Sequence, residues 1–285
     1  MPNVLSHFQA RLALVAKEAL SQEVPFTWDL GASTTSARLT QTGLVDPSGT
    51  ELRWGLVSEI ADDTQSCYLM DQDAEGVWVE KIQRFSEALN RVYTLYPTPG
   101  PPTMLISGIP MHRIKETDPG RDTAAKVKAA GPFHGPVLDT ATGLGYTATA
   151  TAAKGVPVTT IELDPTVLEI CRLNPWSAAL FDNPHITHRL GDAGEVVTTL
   201  PDAAFAHVVH DPPMFSLAGH LYGAEFYAHL FRILRPKGKL FHYIGNPDSP
   251  SGKITTAGAI RRLHDTGFTR IARAPGAFGV IAFKP

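Results

Sequence analysis

Four carboxylates in the second half of the chain have the spacing of a ligand site built along one edge of a sheet. The first closes an apolar run in Val137-Leu138-Asp139-Thr140-Ala141-Thr142-Gly143-Leu144-Gly145-Tyr146. Gly143 and Gly145 let the backbone turn tightly and approach a ligand closely, with the amides of the following helix facing it. Taken alone, a Gly-x-Gly turn serves equally well as a plain strand-to-helix connection. A second acid, Glu162, ends the run Val158-Thr159-Thr160-Ile161, 23 residues after Asp139. A carboxylate about that far on, at the tip of the next strand, suits the two hydroxyls of a ribose. Asp192 follows a third run in Gly191-Asp192-Ala193, and Asp211 follows a fourth in His210-Asp211-Pro212-Pro213-Met214-Phe215. Asp211 therefore falls where open α/β sheets gather ligands, outside the carboxyl ends of the strands. Asp192 reads equally as the N-cap of the helix behind it.

The elements that must carry these residues alternate between apolar runs and helical segments from Pro136 onward, as in a parallel sheet wrapped by helices. The runs cover residues 136–140, 156–161, 186–190, 205–209, 240–244, 269–272 and 278–283. Seven strands are expected. Only Arg273-Ala274-Pro275-Gly276-Ala277 separates the last two, too short for a crossover helix, so they should pair as an antiparallel hairpin. Upstream, residues 1–20 carry Val4, Leu5, Phe8, Leu12 and Val15 at helical intervals, which predicts an amphipathic helix rather than a signal peptide or membrane span. Residues 38–79 read as short strands divided by turns. Residues 81–95 have helical spacing in Ile82, Phe85, Leu89 and Val92, and the following Tyr96-Pro97-Thr98-Pro99-Gly100-Pro101-Pro102 cannot continue a helix. The expected division is a smaller N-terminal α/β domain over 1–105, a connecting segment over 106–135 and a Rossmann-like domain over 136–285.

Composition sets the outer limits. The 285 residues include 43% apolar and 19% charged side chains, enough for a sizeable core and unlike a disordered chain. A net charge of −3 gives no chain-wide pull toward nucleic acid or an anionic membrane, although a local basic patch stays open. Cys67 and Cys171 stand far apart without metal or disulfide spacing, which fits a reduced, cytoplasmic protein. His185 with His188 and His207 with His210 are each three apart on strands, where side chains point to opposite faces, so no metal site is expected.

Across residues 136–285 the sequence resembles the class I S-adenosyl-L-methionine (SAM)-dependent methyltransferases. Compared with the dinucleotide fingerprint Gly-x-Gly-x-x-Gly, it has Ala148 in place of the third glycine, and Asp139 four residues before Gly143 matches the methyltransferase pattern. The resemblance implies that Glu162 holds the ribose hydroxyls and that Asp192 hydrogen-bonds the adenine amino group. It also implies SAM as the cofactor, lined further by Asp139, Thr140, Gly143, Gly145, Leu163 and Ala193. The fourth strand exit is similar to the Asp/Asn-Pro-Pro-aromatic motif of amino-group methyltransferases, with the aromatic displaced by Met214. Methyl transfer to an amine requires the nitrogen lone pair to point along the sulfur–methyl axis, and Asp211 with a backbone carbonyl could accept both N–H bonds to aim it. Pro212 would stiffen that loop, and Phe215 would stack on a planar acceptor. A rigid strand exit with a capping Asp is the bland alternative.

Residues 158–167 (VTTIELDPTV) and 221–237 (LYGAEFYAHLFRILRPK), followed by Gly238, also resemble spermidine synthases and related aminopropyltransferases, which use decarboxylated SAM. Their glycine loop carries an Asp directly after the glycines, where this chain has Thr142-Gly143-Leu144-Gly145-Tyr146. The chain as a whole is similar to a group of prokaryotic, largely archaeal, predicted methyltransferases with a His-Asp-Pro-Pro strand exit, which implies a class and no substrate. Methyl transfer to an amino nitrogen is the leading expectation, aminopropyl transfer the second, and a non-catalytic SAM-fold binding module the third. A small-molecule amine and an RNA base stay open as acceptor, as does a homodimer, and no membrane partner is expected. Residues 108–123 mix loop formers with His112, Arg113, Lys115 and Arg121, and read as an acceptor-binding lid or as a solvated linker into a helix capped by Asp122 or Thr123. Tyr222, Tyr227 and Tyr243 line an acceptor pocket or belong to the core.

Overall fold

The computed structural model describes residues 3–285; Met1 and Pro2 lie outside the described residues. The chain forms two compact units, one running to Gly120 and including Thr166–Ala178, the other built from Arg121–Pro165 and Ala179–Pro285.

In the first unit, β1 (Asn3–Leu5) leads into α1 (His7–Glu18), then β2 (Glu23–Phe26), β3 (Thr35–Leu39), β4 (Gly43–Val45), β5 (Glu51–Arg53) and α2 (Trp54–Asp62). There follow β6 (Tyr68–Asp73), β7 (Gly76–Lys81), β8 (Gln83–Ser86), β9 (Arg91–Tyr96), β10 (Thr103–Ile106) and β11 (Ile109–Pro110). They form three small sheets, ordered β1-β6-β7, β2-β3-β4-β5 and β11-β10-β9-β8. Phe26, Trp28, Leu44, Leu52 and Ile60 are buried together in the core of this unit.

Three expectations for this half are corrected. The segment read as a helix over 81–95 is the β8–β9 hairpin, paired from Gln83↔Thr94 to Ser86↔Arg91. Its apolar spacing mimics a helix, but Phe85 is 56% exposed while the neighbouring Tyr93 and Leu95 are buried, so the real partner is across the ladder. Residues 97–102 form the turn that joins β9 to its antiparallel neighbour β10. The region read as strands throughout contains α2, whose Trp54, Val57, Ile60 and Ala61 recur on one buried face. The first helix begins only at His7, where Ser6 and Gln9 form a capping box. Val4 and Leu5 sit in a strand instead, and Phe8, Leu12 and Val15 are exposed while Ala10 and Ala13 face the core.

The second unit opens with α3 (Pro119–Ala130), which it holds from Arg121 onward. Next along the chain come β12 (Val137–Asp139), α4 (Tyr146–Ala152), β13 (Val158–Glu162), α5 (Pro165–Leu173), which from Thr166 onward belongs to the first unit, β14 (Ile186–Leu190), α6 (Ala193–Thr199) and β15 (Phe205–His210). The short α7 (Phe215–Ala218), α8 (Ala224–Ile233), β16 (Leu234–Tyr243), α9 (Pro250–Thr266), β17 (Thr269–Ala274) and β18 (Gly279–Phe283) complete it. All seven expected strands form one sheet, ordered β14-β13-β12-β15-β16-β18-β17. β12 to β16 run parallel, and β18 is antiparallel to both β16 and β17, so the last two strands pair as the expected hairpin. The fold is α/β, with this mixed sheet and the smaller sheets of the first unit. Leu138, Val208, Leu240 and Val280 form the interior of the sheet, and Phe226, Leu230 and Leu263 from the helices pack on it. Among the described residues no helix is long and apolar enough to cross a membrane.

The turn after β12 depends on its glycines. Gly143 and Gly145 have φ of 52° and 76°, in the left-handed region that side chains disfavour. A Cβ on Gly145 would also stand 2.6 Å from the Leu180 side chain. Gly145→Ala should therefore lower stability by about 1–2 kcal/mol or more. The check is a lower urea midpoint at unchanged slope.

Candidate functional site

Because β14, β13, β12 and β15 are adjacent and parallel, the carboxylates at or just past their ends share one edge of the sheet. Asp139 ends β12, Glu162 ends β13, Asp192 follows β14 and Asp211 follows β15. The sheet thus brings together all four acids picked out in the sequence.

Glu162 locks the glycine turn. Its two oxygens accept from the Gly143 amide at 2.9 Å and the Asp164 amide at 3.1 Å, tying the turn after β12 to the tip of β13. Burial still outweighs those donors and pushes its pKa up to about 7. Asp139 lies deeper, 1% exposed, and burial together with the nearby Asp211 charge pushes it up to about 8. It accepts only long bonds, from the Ala141 amide and the Thr160 hydroxyl, each at 3.4 Å. Thr140 bonds the His210 ring at 2.7 Å, and the other ring nitrogen of His210 lies 3.0 Å from the Leu221 carbonyl. A carbonyl only accepts, so Nε2 carries the proton and Nδ1 accepts from Thr140. Burial lowers His210 to about 3, which keeps the ring neutral.

Asp192 caps α6 through a 2.6 Å bond from the Gly194 amide and lies 3.2 Å from the His220 ring. Its carboxylate has the capping job anticipated for it; Ala193 beside it is buried, while Leu163 is 44% exposed at the tip of β13. Pro212 is buried, and Phe215 is 56% exposed, its ring edge-on to Tyr222 at 5.4 Å. Tyr222 and Tyr227 belong to the core: the first donates to the Pro213 carbonyl and the second pairs with His242 at 2.9 Å.

The residue missed in the sequence is Lys126 on α3. Only 2% exposed, its ammonium lies 2.7 Å from Asp211 and 2.9 Å from Asp122, with the Tyr243 ring centre 4.3 Å away. Burial opposes its charge, but Asp211 and Asp122 outweigh that penalty and hold its pKa above the usual lysine value. Asp122 and Lys126 are one helical turn apart, so the i, i+4 pairing was a signal available in the sequence. The helix also starts three residues before the expected cap, and Asp122 is buried in its first turn. His207 and His210 make separate bonds, to His134 and to Thr140 with Leu221, and among the described residues no group of three metal-ligating side chains converges.

No family model matches the chain. The uncharacterized protein MJ1233 of Methanocaldococcus jannaschii is 40% identical over 284 residues, 95% of this chain and 94% of that protein. The chain belongs to the family of that archaeal protein. A polyamine aminopropyltransferase of Mycobacterium tuberculosis is 36% identical over 95 residues, which are 31% of this chain and only 18% of that enzyme. Among solved structures, spermidine synthase from Thermotoga maritima is similar with a TM-score of 0.57 at 17% identity, covering 80% of this chain and 83% of that one. The fold is thereby shared with the spermidine synthases.

The buried acids give this edge a characteristic pH response. A raised carboxyl pKa means that the folded chain holds a proton the unfolded chain has lost, so stability falls as pH rises from the unfolded value of 3.8 toward about 8. Asp139→Asn should remove that loss. Its thermal midpoint should exceed the parent's by a few degrees at a pH near 8 and match it at a pH near 4, as followed by calorimetry.

Proposed function

We propose that this protein transfers a methyl group from SAM to an amino nitrogen. The observation that carries the reading is the placement of Asp211 at the exit of β15, with Asp139 and the Glu162-locked turn beside it on the same sheet edge. The turn is a tight bend held by Glu162, and the resemblance to class I methyltransferases assigns it to the cofactor, with Glu162 at the ribose and Asp192 at the adenine. In the reaction the nitrogen lone pair attacks the methyl carbon. The S–C electrons return to sulfur, which leaves as the neutral thioether S-adenosylhomocysteine, and the new ammonium then loses its proton to water. Asp211, compensated by Lys126, accepts N–H bonds from the amine and aims its lone pair. Phe215, exposed at the start of α7, is placed to cover a planar acceptor.

Aminopropyl transfer from decarboxylated SAM is the second reading. It is supported by the spermidine synthase fold over four-fifths of the chain and by the local likeness to a polyamine aminopropyltransferase. The same Asp211 would then aim an amine at a different carbon of the sulfonium. The turn weighs against it, since Thr142-Gly143-Leu144-Gly145-Tyr146 lacks the carboxylate that aminopropyltransferases carry after their glycines.

Calorimetry with the two cofactors separates the readings. A methyltransferase should bind SAM and S-adenosylhomocysteine at least as tightly as decarboxylated SAM, and the reverse order would favour the aminopropyl reading. Asp211→Asn keeps the volume and Asp211→Ala removes the group. Both should leave SAM affinity nearly unchanged, while the Ala variant should slow transfer by roughly 10²–10⁴. A folded Asp211→Ala protein with full transfer activity would sink the assignment.

A further inference from the structure

Charge is unevenly spread along the chain. After residue 230 lie ten of the 25 Lys and Arg but only two of the 28 Asp and Glu, Asp248 and Asp265. The rest of the chain carries fifteen basic against twenty-six acidic side chains, so a protein of net charge −3 has a strongly cationic last fifth. Some of those cations are structural. Lys239 donates to the Gly131 carbonyl, Lys284 to the carbonyls ending α8, and Arg232 to those ending α6 and to Asp202.

Others are not used in this way. Between α9 and the edge strand β17 is a cleft of about 640 Å³ in which Arg261, His264, Arg270 and Arg273 surround Ile260 and Ile271. All three arginines are exposed, and among the described residues none is paired with a carboxylate. The acid nearest to them in sequence, Asp265, is exposed and lies 3.7 Å from His264. Arg270 is held in place by stacking its guanidinium 4.1 Å from the Phe283 ring centre. Ile260 and Ile271 pack on the core beneath, giving a cationic rim over an apolar floor.

Sheet register links this cleft to the transfer site. Arg273 pairs with Val280, Val280 with His242 and His242 with His210, the residue before Asp211. The guanidinium end of the cleft therefore lies on the same cross-strand row as the Asp-Pro-Pro exit, three strand spacings or about 15 Å along it.

We infer that the α9–β17 cleft binds the phosphate backbone of an RNA acceptor whose target base reaches Asp211 a few nucleotides away. Guanidinium forks match phosphate oxygens in pairs, and an apolar floor accepts a base or ribose face, so the cleft suits a flexible polynucleotide better than an acidic peptide or a flat membrane. The inference rests on amine methylation as the activity and names its substrate class.

Fluorescence anisotropy of a short labelled RNA of mixed sequence tests it on the full chain, without cofactor, while SAM binding is read separately by calorimetry. The parent should bind RNA with an affinity that falls steeply with salt. Arg261→Ala/Arg273→Ala spares the Arg270–Phe283 stack. It should bind at least about tenfold more weakly at low salt and flatten the log–log salt slope by about 1.4, at ~0.7 per lost phosphate contact on a single strand. SAM binding should be unchanged in this variant. Absence of RNA binding by the parent, or parent-like affinity and slope in the variant, overturns the inference. So does displacement of RNA by polyglutamate or phosphatidylserine vesicles at matched charge, which would make the cleft a generic anionic surface. RNA binding without SAM binding would instead count against the methyl-transfer reading and leave the cleft standing.

Discussion

The ion pair between Lys126 and Asp211 is the interaction on which the sheet edge depends. Carboxylates gathered on one edge and taken out of water repel each other and lose hydration, and a site that needs them must supply compensation. α3 supplies it with one buried ammonium shared by Asp122 and Asp211. The result is a graded edge. Asp211 has a cation at 2.7 Å, whereas Asp139 and Glu162 have none so close and are pushed to about 8 and about 7. Any cation arriving beside such an acid would favour its ionised form, so its uptake near neutral pH would release protons. Burial keeps His210 under Thr140 neutral, so it is a strut rather than an acid-base group.

Much of the second unit was legible in the sequence because its signals are local. Apolar runs, glycines and strand-tip acids recur within short windows, and the five residues between the last two strands leave room only for a hairpin. The first unit was harder because its elements are short and its patterns ambiguous. Ile82, Phe85, Leu89 and Val92 fit a helix by spacing alone, yet the chain reverses near Asn90, whose φ is 51°. α1 misled differently, since its large apolar residues face outward and alanines face in. The neighbour that α1 packs against, chiefly α2, is a tertiary fact that no single sequence reports.

The candidate site divides along the same line. Asp139, Glu162, Asp192 and Asp211 could be placed because each ends a recognisable run. Lys126 could not be joined to Asp211 because 85 residues separate them and only the folded sheet brings α3 over the β15 exit. Asp192 shows the converse: a residue named from the resemblance for the adenine is seen capping α6, a task that a short-range sequence signal also announces.

The position of β18 has a consequence for how the sheet holds together in time. β17 is hydrogen-bonded to β18 alone, and β18 comes later in the chain than both of its neighbours. The edge strand therefore cannot join the sheet until the strand that follows it has been inserted against β16. An edge strand held by one ladder has fewer backbone bonds to break than a central strand held by two. Arg270 and Arg273 ride on that edge strand, so the cationic side of the cleft hangs on a single ladder, whereas Asp211 follows a strand paired on both sides.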